Sequence, residues 1–376
     1  MFQTHLVWPS DRRFGEPRTI ERIHDTISML DDLNEDEKAG ITGRSPLLDY
    51  PGFQFIAGVP CEYMHHVCLG VTKRLIELTF NVGDNRKRIT KRKLCNPKHF
   101  NDIMATIKVP CEFSRRGRSL DFKVMKAEEF RNIVLFYFDI VVQCISSTAQ
   151  QNYLSDLEQT LWYVFAFQIR ALVLPKEEYC DVAESDIKYT NEKFMTSFEN
   201  LYGTKHSSYN IHMMCHLNRV RDRGPLTETS TFPTESYYSE MRRSYVTGTA
   251  ATGKQILQNA YIKRQLPHVH CRKSITYRPD DTSRSCNKYM YIYRNNNYEF
   301  YLFKSINDNG SFNCVRQGKR SFNPLTCNNV NWSTVGVFTS SALDTRELEI
   351  HPREITGKAM MVLNLIMSCP TNILQE

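Results

Sequence analysis

Two histidines, His212 and His216, lie four residues apart in a stretch with helical periodicity. At this spacing both side chains project from one face of a helix, so two imidazoles could reach the same metal ion. An earlier stretch places Glu62 and His65 three residues apart, on one face near the start of another predicted helix. Two such pairs from distant helices could close a tetrahedral site, for which structural zinc is the best-suited ion.

Each pair also has an ordinary interpretation. Histidines four residues apart are often an incidental feature of a helix surface. Cys61 and Cys215 adjoin the two pairs and are either further ligands or buried thiols. The metal hypothesis predicts that His65, His212 and His216 converge in space.

A single glutamate, Glu235, follows Phe232-Pro233-Thr234 at the start of a further predicted helix. Its carboxylate is a candidate ligand for a catalytic metal ion. Proline near a helix start with glutamate in the first turn is also ordinary capping chemistry, and composition alone favours that interpretation. Two-metal phosphoryl transfer needs several converging carboxylates, and no motif marks an aspartate partner for Glu235. The chain also has no G-x-S-x-G turn and no glycine-rich phosphate loop. The sequence therefore does not support a serine hydrolase or an enzyme that binds phosphate through such a loop.

Basic residues are concentrated in two short stretches, although the net charge of +7 is modest for 376 residues. The clustered residues are Arg86, Lys87, Arg88, Lys91, Arg92, Lys93, Arg115 and Arg116. Local basic clusters favour a polyanionic partner such as DNA. A solvated loop that binds no DNA explains the same pattern equally well.

The bulk composition, 41% hydrophobic and 24% charged, is typical of a soluble globular protein with two or three domains. The longest apolar region, residues 133–145, is interrupted by Asp139 and Gln143, which predicts a buried core helix and no membrane span. Twelve cysteines are scattered singly without a CxxC pair, which predicts reduced thiols in an intracellular compartment.

Helical periodicity dominates up to about residue 265, with long predicted helices at 126–146, 151–174 and 186–202. Beyond residue 279, short aromatic and β-branched runs predict strands, with 335–338 and 348–350 as two separate runs. The predicted fold class is therefore mainly α with a small C-terminal β domain (α+β). The domain division has four parts: 1–125, with the Glu-x-x-His helix and the basic loop; 126–267, with the histidine pair and Glu235; a linker, 268–285; and the β domain, 286–376.

Several stretches together resemble animal transposases of the CACTA (En/Spm-like) superfamily and the transposase-domain proteins derived from them. The resemblance covers about residues 1–265 and rests on the order and spacing of the stretches, because none is decisive alone. The matching stretches are Ser45-Pro46-Leu47, Glu62-Tyr63-Met64-His65, Leu69-Gly70-Val71, Arg74-Leu75, Pro110 with Phe113-Ser114-Arg115 and Arg118, Lys126-Ala127-Glu128-Glu129-Phe130-Arg131, Leu201-Tyr202-Gly203, Tyr209-Asn210-Ile211-His212 with His216, Gly224-Pro225-Leu226 and Phe232-Pro233-Thr234-Glu235.

The resemblance implies an RNase H-like catalytic domain, whose Asp-Asp-Glu triad binds two divalent metal ions and whose glutamate follows a helical insertion. This chain would hold that insertion and the last part of the catalytic domain, with Glu235 at the triad glutamate. His212 and His216 match a pair that helps to hold structural zinc in the related RAG-type recombinases. Glu62 stands where the family usually has aspartate, so its carboxylate is one methylene longer.

The family's two catalytic aspartates and a CxxC zinc pair normally precede the part where this chain begins. The resemblance therefore implies an N-terminally truncated, nuclear, DNA-binding protein that is catalytically inactive in this form. It implies no membrane partner and leaves a homo-oligomer open. The chain would need Mg²⁺ or Mn²⁺ only if the missing catalytic half were present. Two alternatives stay open: an active transposase or nuclease whose upstream half is missing, and a helical protein-interaction scaffold without a DNA role.

Overall fold

The structure is a computed structural model. It describes residues 19–34, 41–56, 58, 61–80, 95–110, 113, 119–121, 124–147, 153–175, 178, 182–217, 224–243, 288–324, 327 and 329–369. The basic residues expected to bind nucleic acid, Arg86 to Lys93 with Arg115 and Arg116, lie outside these ranges, as does the predicted linker 268–285.

Helices make up the first part of the described chain. They are α1 (Ile20–Ser28), α2 (a π-helical part, Tyr63–Thr72, continued by Lys73–Phe80), α3 (Pro97–Met104), α4 (Ala127–Asn132, a π-helical part Ile133–Tyr137, and Phe138–Ser146), α5 (Tyr153–Val173), α6 (Glu184–Tyr202), α7 (Tyr209–Met213) and α8 (Phe232–Arg243). Short 3-10 helices lie at Pro46–Asp49, Thr204–His206, Leu226–Thr229, Trp332–Val335 and Pro352–Glu354.

Two of these helices, α4 and α5, form the centre of the helical core. Nearly every residue of both is buried, and α5 packs on α4 and on α6. A helix that is apolar all round must be enclosed on all sides, which matches the near-continuous apolar run in α4. None of the described helices is both long enough and apolar enough to cross a lipid bilayer.

Six strands follow the helices: β1 (Tyr289–Arg294), β2 (Asn297–Ile306), β3 (Phe312–Ser321), β4 (Val337–Ile350), β5 (Gly357–Val362) and β6 (Leu365–Cys369). They form a closed antiparallel barrel in the order β1-β2-β3-β4-β6-β5. Asn295 and Asn296 join β1 to β2, and both have a positive φ. A two-residue hairpin turn with both φ values positive matches the twist of its strands, and asparagine tolerates that conformation.

The two faces of the sheet carry different apolar clusters. One cluster includes Met290, Tyr301 and Cys314. The other includes Tyr291 and Phe300, which are paired across β1 and β2. Side chains alternate between faces along a strand, so these paired residues necessarily fall on the same side.

The strands and the helices share one apolar core. Trp332, just before β4, stacks on Phe138 of α4 at 5.5 Å between ring centroids and meets the ring of Phe167 of α5 edge-on. Met360 and Met367, on β5 and β6, belong to the same cluster as the residues of α4 and α5. Large aromatic side chains dominate the energetics of such contacts, so the barrel is held firmly against the helices.

The predicted fold class, with its RNase H-like catalytic domain, is wrong. The strands close a six-stranded antiparallel barrel in the C-terminal region, which is not an RNase H-like sheet. Before Tyr289 the described residues contain no strand, and residues expected to end the catalytic domain form the 3-10 helix Leu226–Thr229 and α8. The runs with strand-forming composition lie beyond residue 288 and pair only with one another, so they supply no sheet around Glu235.

Candidate functional site

The start of α2 is organised by the carboxylate of Glu62, which caps the helix. Its oxygens accept hydrogen bonds from the backbone N–H groups of Met64, at 2.7 Å, and His65. One of the same oxygens accepts from both the N–H and the hydroxyl of Thr231, each at 2.8 Å. Glu62 therefore joins the start of α2 to the residue that precedes α8, 169 positions later in the chain.

His65 lies beside this carboxylate. Its Nδ1 is 3.1 Å from Glu62 Oε2 and 3.2 Å from the hydroxyl oxygen of Thr231. Burial alone would raise the pKa of Glu62, but the N–H groups of His65, Thr231 and Met64 outweigh it and lower that pKa. Glu62 is thus an anion at neutral pH, and hydrogen bonds within the protein already engage both of its oxygens.

His66 and Gly70 connect α2 to α7. Nε2 of His66 lies 2.7 Å from the carbonyl oxygen of Asn210, and because a carbonyl only accepts, this nitrogen carries the proton. Burial lowers the pKa of His66, which favours its neutral form. At Gly70, a Cβ atom would lie 2.7 Å from Nδ2 of Asn210, so a larger residue there would displace the end of the Asn210 side chain.

Phe232, the first residue of α8, packs into the same region. Its ring meets Tyr63 edge-on at 6.1 Å, and the guanidinium carbon of Arg131 lies 5.1 Å from the ring centroid. Such a placement gives a cation–π attraction. The hydroxyl of Thr229 donates to the carbonyl of Cys61 at 3.3 Å.

These contacts bring together stretches that are up to 170 residues apart in the chain. We call the group the motif junction and define it as Glu62, His65, His66, Gly70, Arg131, Asn210, Thr231 and Phe232. Sequence reasoning missed the parts played by Thr231, Asn210 and Arg131. A hydroxyl residue directly before Phe-Pro at a helix start was the one signal that could have marked Thr231.

The four residues expected to bind zinc form two separate pairs. Glu62 and His65 are in contact, and the rings of His212 and His216 are 5.3 Å apart between centroids. Burial lowers the pKa of His212, which favours the neutral imidazole that a metal requires. In the part of the chain that the structure describes, however, no three His, Cys, Asp or Glu side chains are grouped to hold one ion. The structure therefore does not assemble the expected ligand set, and zinc binding stays a prediction.

Glu235 lies in the first turn of α8, with its side chain exposed. Its backbone N–H donates to the carbonyl of Thr231 at 2.8 Å, which places it one helical turn beyond that residue. The adjoining residues 233–239 are also exposed. Glu235 therefore begins an exposed helix next to the motif junction, and its carboxylate belongs to no three-residue metal group among the described residues.

Comparison with protein-family models, curated proteins and solved structures found no match for this chain.

Proposed function

We propose that this chain is a transposase-derived protein that binds DNA and does not itself cleave or transfer DNA strands. The observation that supports the proposal is the motif junction. The resemblance rests on short stretches between residues 45 and 235, and five of them contribute residues to the motif junction, where Phe232 contacts Tyr63 and Arg131, and Gly70 lies against Asn210. Chance local matches would have no reason to meet in space, whereas stretches inherited from one ancestral fold would.

The way in which the acidic residues are used supports the proposed lack of strand transfer. Two-metal catalysis needs several carboxylates directed at ions about 4 Å apart. The carboxylate of Glu62 is engaged by Met64, His65 and Thr231. In the described ranges, Glu235 finds no acidic or histidine partners grouped around it for a metal ion.

DNA binding is tested by its dependence on salt. Neutralising phosphates with basic side chains releases counterions, so the logarithm of the association constant falls linearly with the logarithm of the salt concentration. If all six basic residues at 86–93 contact phosphates, they contribute about −5 to that slope. We expect the charge-neutralised variant R86A/K87A/R88A/K91A/R92A/K93A to bind duplex DNA more weakly and with a shallower slope, as measured by fluorescence anisotropy.

A matched control separates a local effect from the loss of net charge. The triple variant R86A/K87A/R88A removes the same charge as K304A/R320A/R346A, whose three residues are exposed on the barrel. We expect the first variant to lose affinity and the second to retain it. Equal losses from both would contradict a DNA-binding site at 86–93, and no binding at low salt by the wild-type chain would overturn the DNA-binding role.

Catalysis is tested separately by a nicking and strand-transfer assay with Mg²⁺ or Mn²⁺. We expect no metal-dependent product. Cleavage that is abolished by Glu235→Gln would show instead that the chain is an active nuclease, which would overturn the non-catalytic part of the proposal alone.

A second candidate function is a helical protein-interaction scaffold, and α8 provides the observation in its favour. Tyr237 and Tyr238 lie side by side on this helix with 43% and 56% of their surfaces exposed. Tyrosine is enriched at protein interfaces because it offers apolar area together with a hydroxyl. Failure to bind DNA, with the fold intact, would favour this candidate.

A further inference from the structure

Most of helix α8 lies on the surface of the molecule. Its first residue, Phe232, packs against Tyr63, but residues 233–239 and Arg242 are exposed. The helix spans twelve residues, Phe232–Arg243. A helix of this length is marginally stable in water by itself, because most helical stability in proteins comes from packing one face against a neighbour. The length and exposure of α8 are therefore those of a helix that is completed by a partner.

Three of the exposed residues lie on one face of α8. Glu235, Tyr238 and Arg242 follow one another at intervals of three and four residues, so their side chains project on the same side of the helix. The acidic residue lies near the beginning of the helix and the basic residue near its end. Between them lies the ring of Tyr238, which is 56% exposed. This face therefore carries opposite charges at its two ends and an accessible aromatic ring near its centre.

We propose that α8 forms the interface of a homodimer, in which this face packs antiparallel against the same face of a second copy of the chain. Glu235 then lies opposite the partner's Arg242, and Arg242 lies opposite the partner's Glu235. The two Tyr238 rings meet near the two-fold axis. Such a contact, in which both subunits use the same surface, is the commonest arrangement in symmetric dimers.

The positions of the charges favour the antiparallel orientation. Two parallel copies of α8 would place like charges beside each other at both ends, which is unfavourable. Antiparallel packing replaces both repulsions with pairs of opposite charge. Glu235 and Arg242 are separated by about 10.5 Å along the helix axis. Because this separation is the same in both copies, the two pairs form at the same time when the helices are in register.

The aromatic residues supply the apolar part of the contact. The ring of Tyr237 lies 6.5 Å from that of Tyr238 and is 43% exposed. Tyrosine is enriched in the centres of protein interfaces, where charged residues are depleted and surround the contact instead. Two helices of this length offer less area than a standard interface of about 1,600 Å². The dimer should therefore be weak, and its population should rise with protein concentration.

The experiment is sedimentation velocity on the full chain without DNA, at low ionic strength and over a hundredfold range of protein concentration. We expect the wild type to shift from monomer to dimer. Glu235→Arg leaves two arginines on this face, and Arg242→Glu leaves two glutamates. Each variant should repel itself and raise the dissociation constant at least about tenfold. An equal mixture of the two variants, with one of them fluorescently labelled, restores both opposite-charge pairs and should dimerise about as well as the wild type.

Matched controls place the same charge changes on other helices. Glu184→Arg on α6 and Arg22→Glu on α1 alter exposed residues and should dimerise as the wild type does. Arginine and glutamate both favour helices, so the two α8 variants should keep the helix, which circular dichroism checks.

Three results would overturn the proposal. These are a wild-type chain that stays monomeric throughout the concentration range, single α8 variants that dimerise as well as the wild type, and a mixture of these variants that does not recover the dimer. Because no DNA is present, each of these results leaves the proposed DNA binding unaffected.

Discussion

The motif junction and the contact between helices and barrel differ in how they hold a carboxylate. At the motif junction, Glu62 is only partly buried and is held chiefly by backbone N–H groups and a threonine. At the second region, which we call the helix–barrel interface and define as Arg170, Glu178, Tyr291, Tyr298 and Trp332, both charged residues are at most 1% exposed. The first region uses charge to orient helix ends, and the second encloses charge within an apolar core.

The helix–barrel interface compensates its buried charges with hydrogen bonds from both parts of the chain. Arg170, on α5, donates to the carbonyl oxygens of Leu135 in α4, of Val335 just before β4 and of Ser368 in β6. Glu178 accepts from the hydroxyls of Tyr291 and Tyr298 at 2.9 and 2.6 Å. Burial lowers the pKa of Arg170, and Glu178 counters part of that effect. Since an uncompensated buried charge is strongly unfavourable, these bonds make the orientation of the barrel specific.

The largest effect should come from removing one of these two charges. We expect Arg170→Met to lower the free energy of unfolding by about 3–5 kcal/mol, because three buried carbonyl oxygens lose their donor and buried Glu178 loses the positive charge that it interacts with. Urea denaturation followed by tryptophan fluorescence measures the loss, since Trp162 and Trp332 are both buried reporters.

Arg22→Met is the matched control, because Arg22 is exposed on α1 and its loss should change stability by no more than about 0.5 kcal/mol. Arg170→Lys keeps the charge but replaces a fork of donors with a single ammonium, so its loss should be intermediate. Equal stability of the Arg170→Met and Arg22→Met variants would mean that the buried network contributes no more than a surface residue.

A smaller effect is expected at the motif junction. Glu62→Gln should lower the free energy of unfolding by about 1–2 kcal/mol, because an amide caps a helix less well than a carboxylate and cannot accept from all of the same donors. The lower end of that range applies because the side chain is partly in water. Glu184→Gln is the control, since Glu184 is exposed in the first turn of α6.

The pH dependence of this variant gives an independent check. The pKa of Glu62 is lower in the folded chain than its usual value of 4.5. The unfolded state therefore binds the proton first, so the stabilisation by Glu62 is fully present above pH 4.5 and is lost as the pH falls through the folded pKa. The difference in stability between wild type and Glu62→Gln should accordingly shrink below pH 4.5. A constant difference from pH 7 to pH 3 would show that the charge of Glu62 is not involved.

The two regions also differ in how far the sequence predicts them. The spacing of Glu62 and His65 at a helix start predicted a pair of metal ligands, and the structure places these two side chains in contact. It could not reveal Thr231, whose N–H and hydroxyl both bind an oxygen of Glu62, and the role of Glu62 as a metal ligand stays a prediction. Periodicity reports neighbours on one helix and carries no information about a partner far along the chain.

The helix–barrel interface gave no sequence signal at all. Arg170 lies near the end of a helix predicted at 151–174 and observed at Tyr153–Val173, where a basic residue is an ordinary feature of the last turn. In the barrel, β3 was missed because Arg316, Gly318 and Lys319 interrupt its apolar alternation at the bulges. The exposed middle of β4, at 342–347, made one strand look like two runs. Barrel closure depends on strand pairs distant in sequence, which no local pattern encodes.

The smallest expected effect concerns the hydrogen bond between Arg74, in the second half of α2, and His206. Burial, together with the positive charges of Arg74 and Lys205, lowers the pKa of His206 to about 4. Nη2 of Arg74 donates to Nδ1 of His206 at 2.9 Å, a bond that only the neutral ring can accept. We expect Arg74→Met to raise the pKa of His206 toward its usual value of 6.5, as measured by NMR titration of the imidazole protons.

Lys205→Met is the control for this titration, because it removes the weaker of the two charges and should raise the pKa of His206 by less. The folded pKa lies below the unfolded one, so the unfolded chain binds the proton first and stability declines as the pH falls from about 6.5 to 4. That decline should be modest because the ring is only partly buried, and it should be smaller still in Arg74→Met. If the pKa of His206 is the same in Arg74→Met and wild type, α2 and the segment before α7 are not electrostatically coupled.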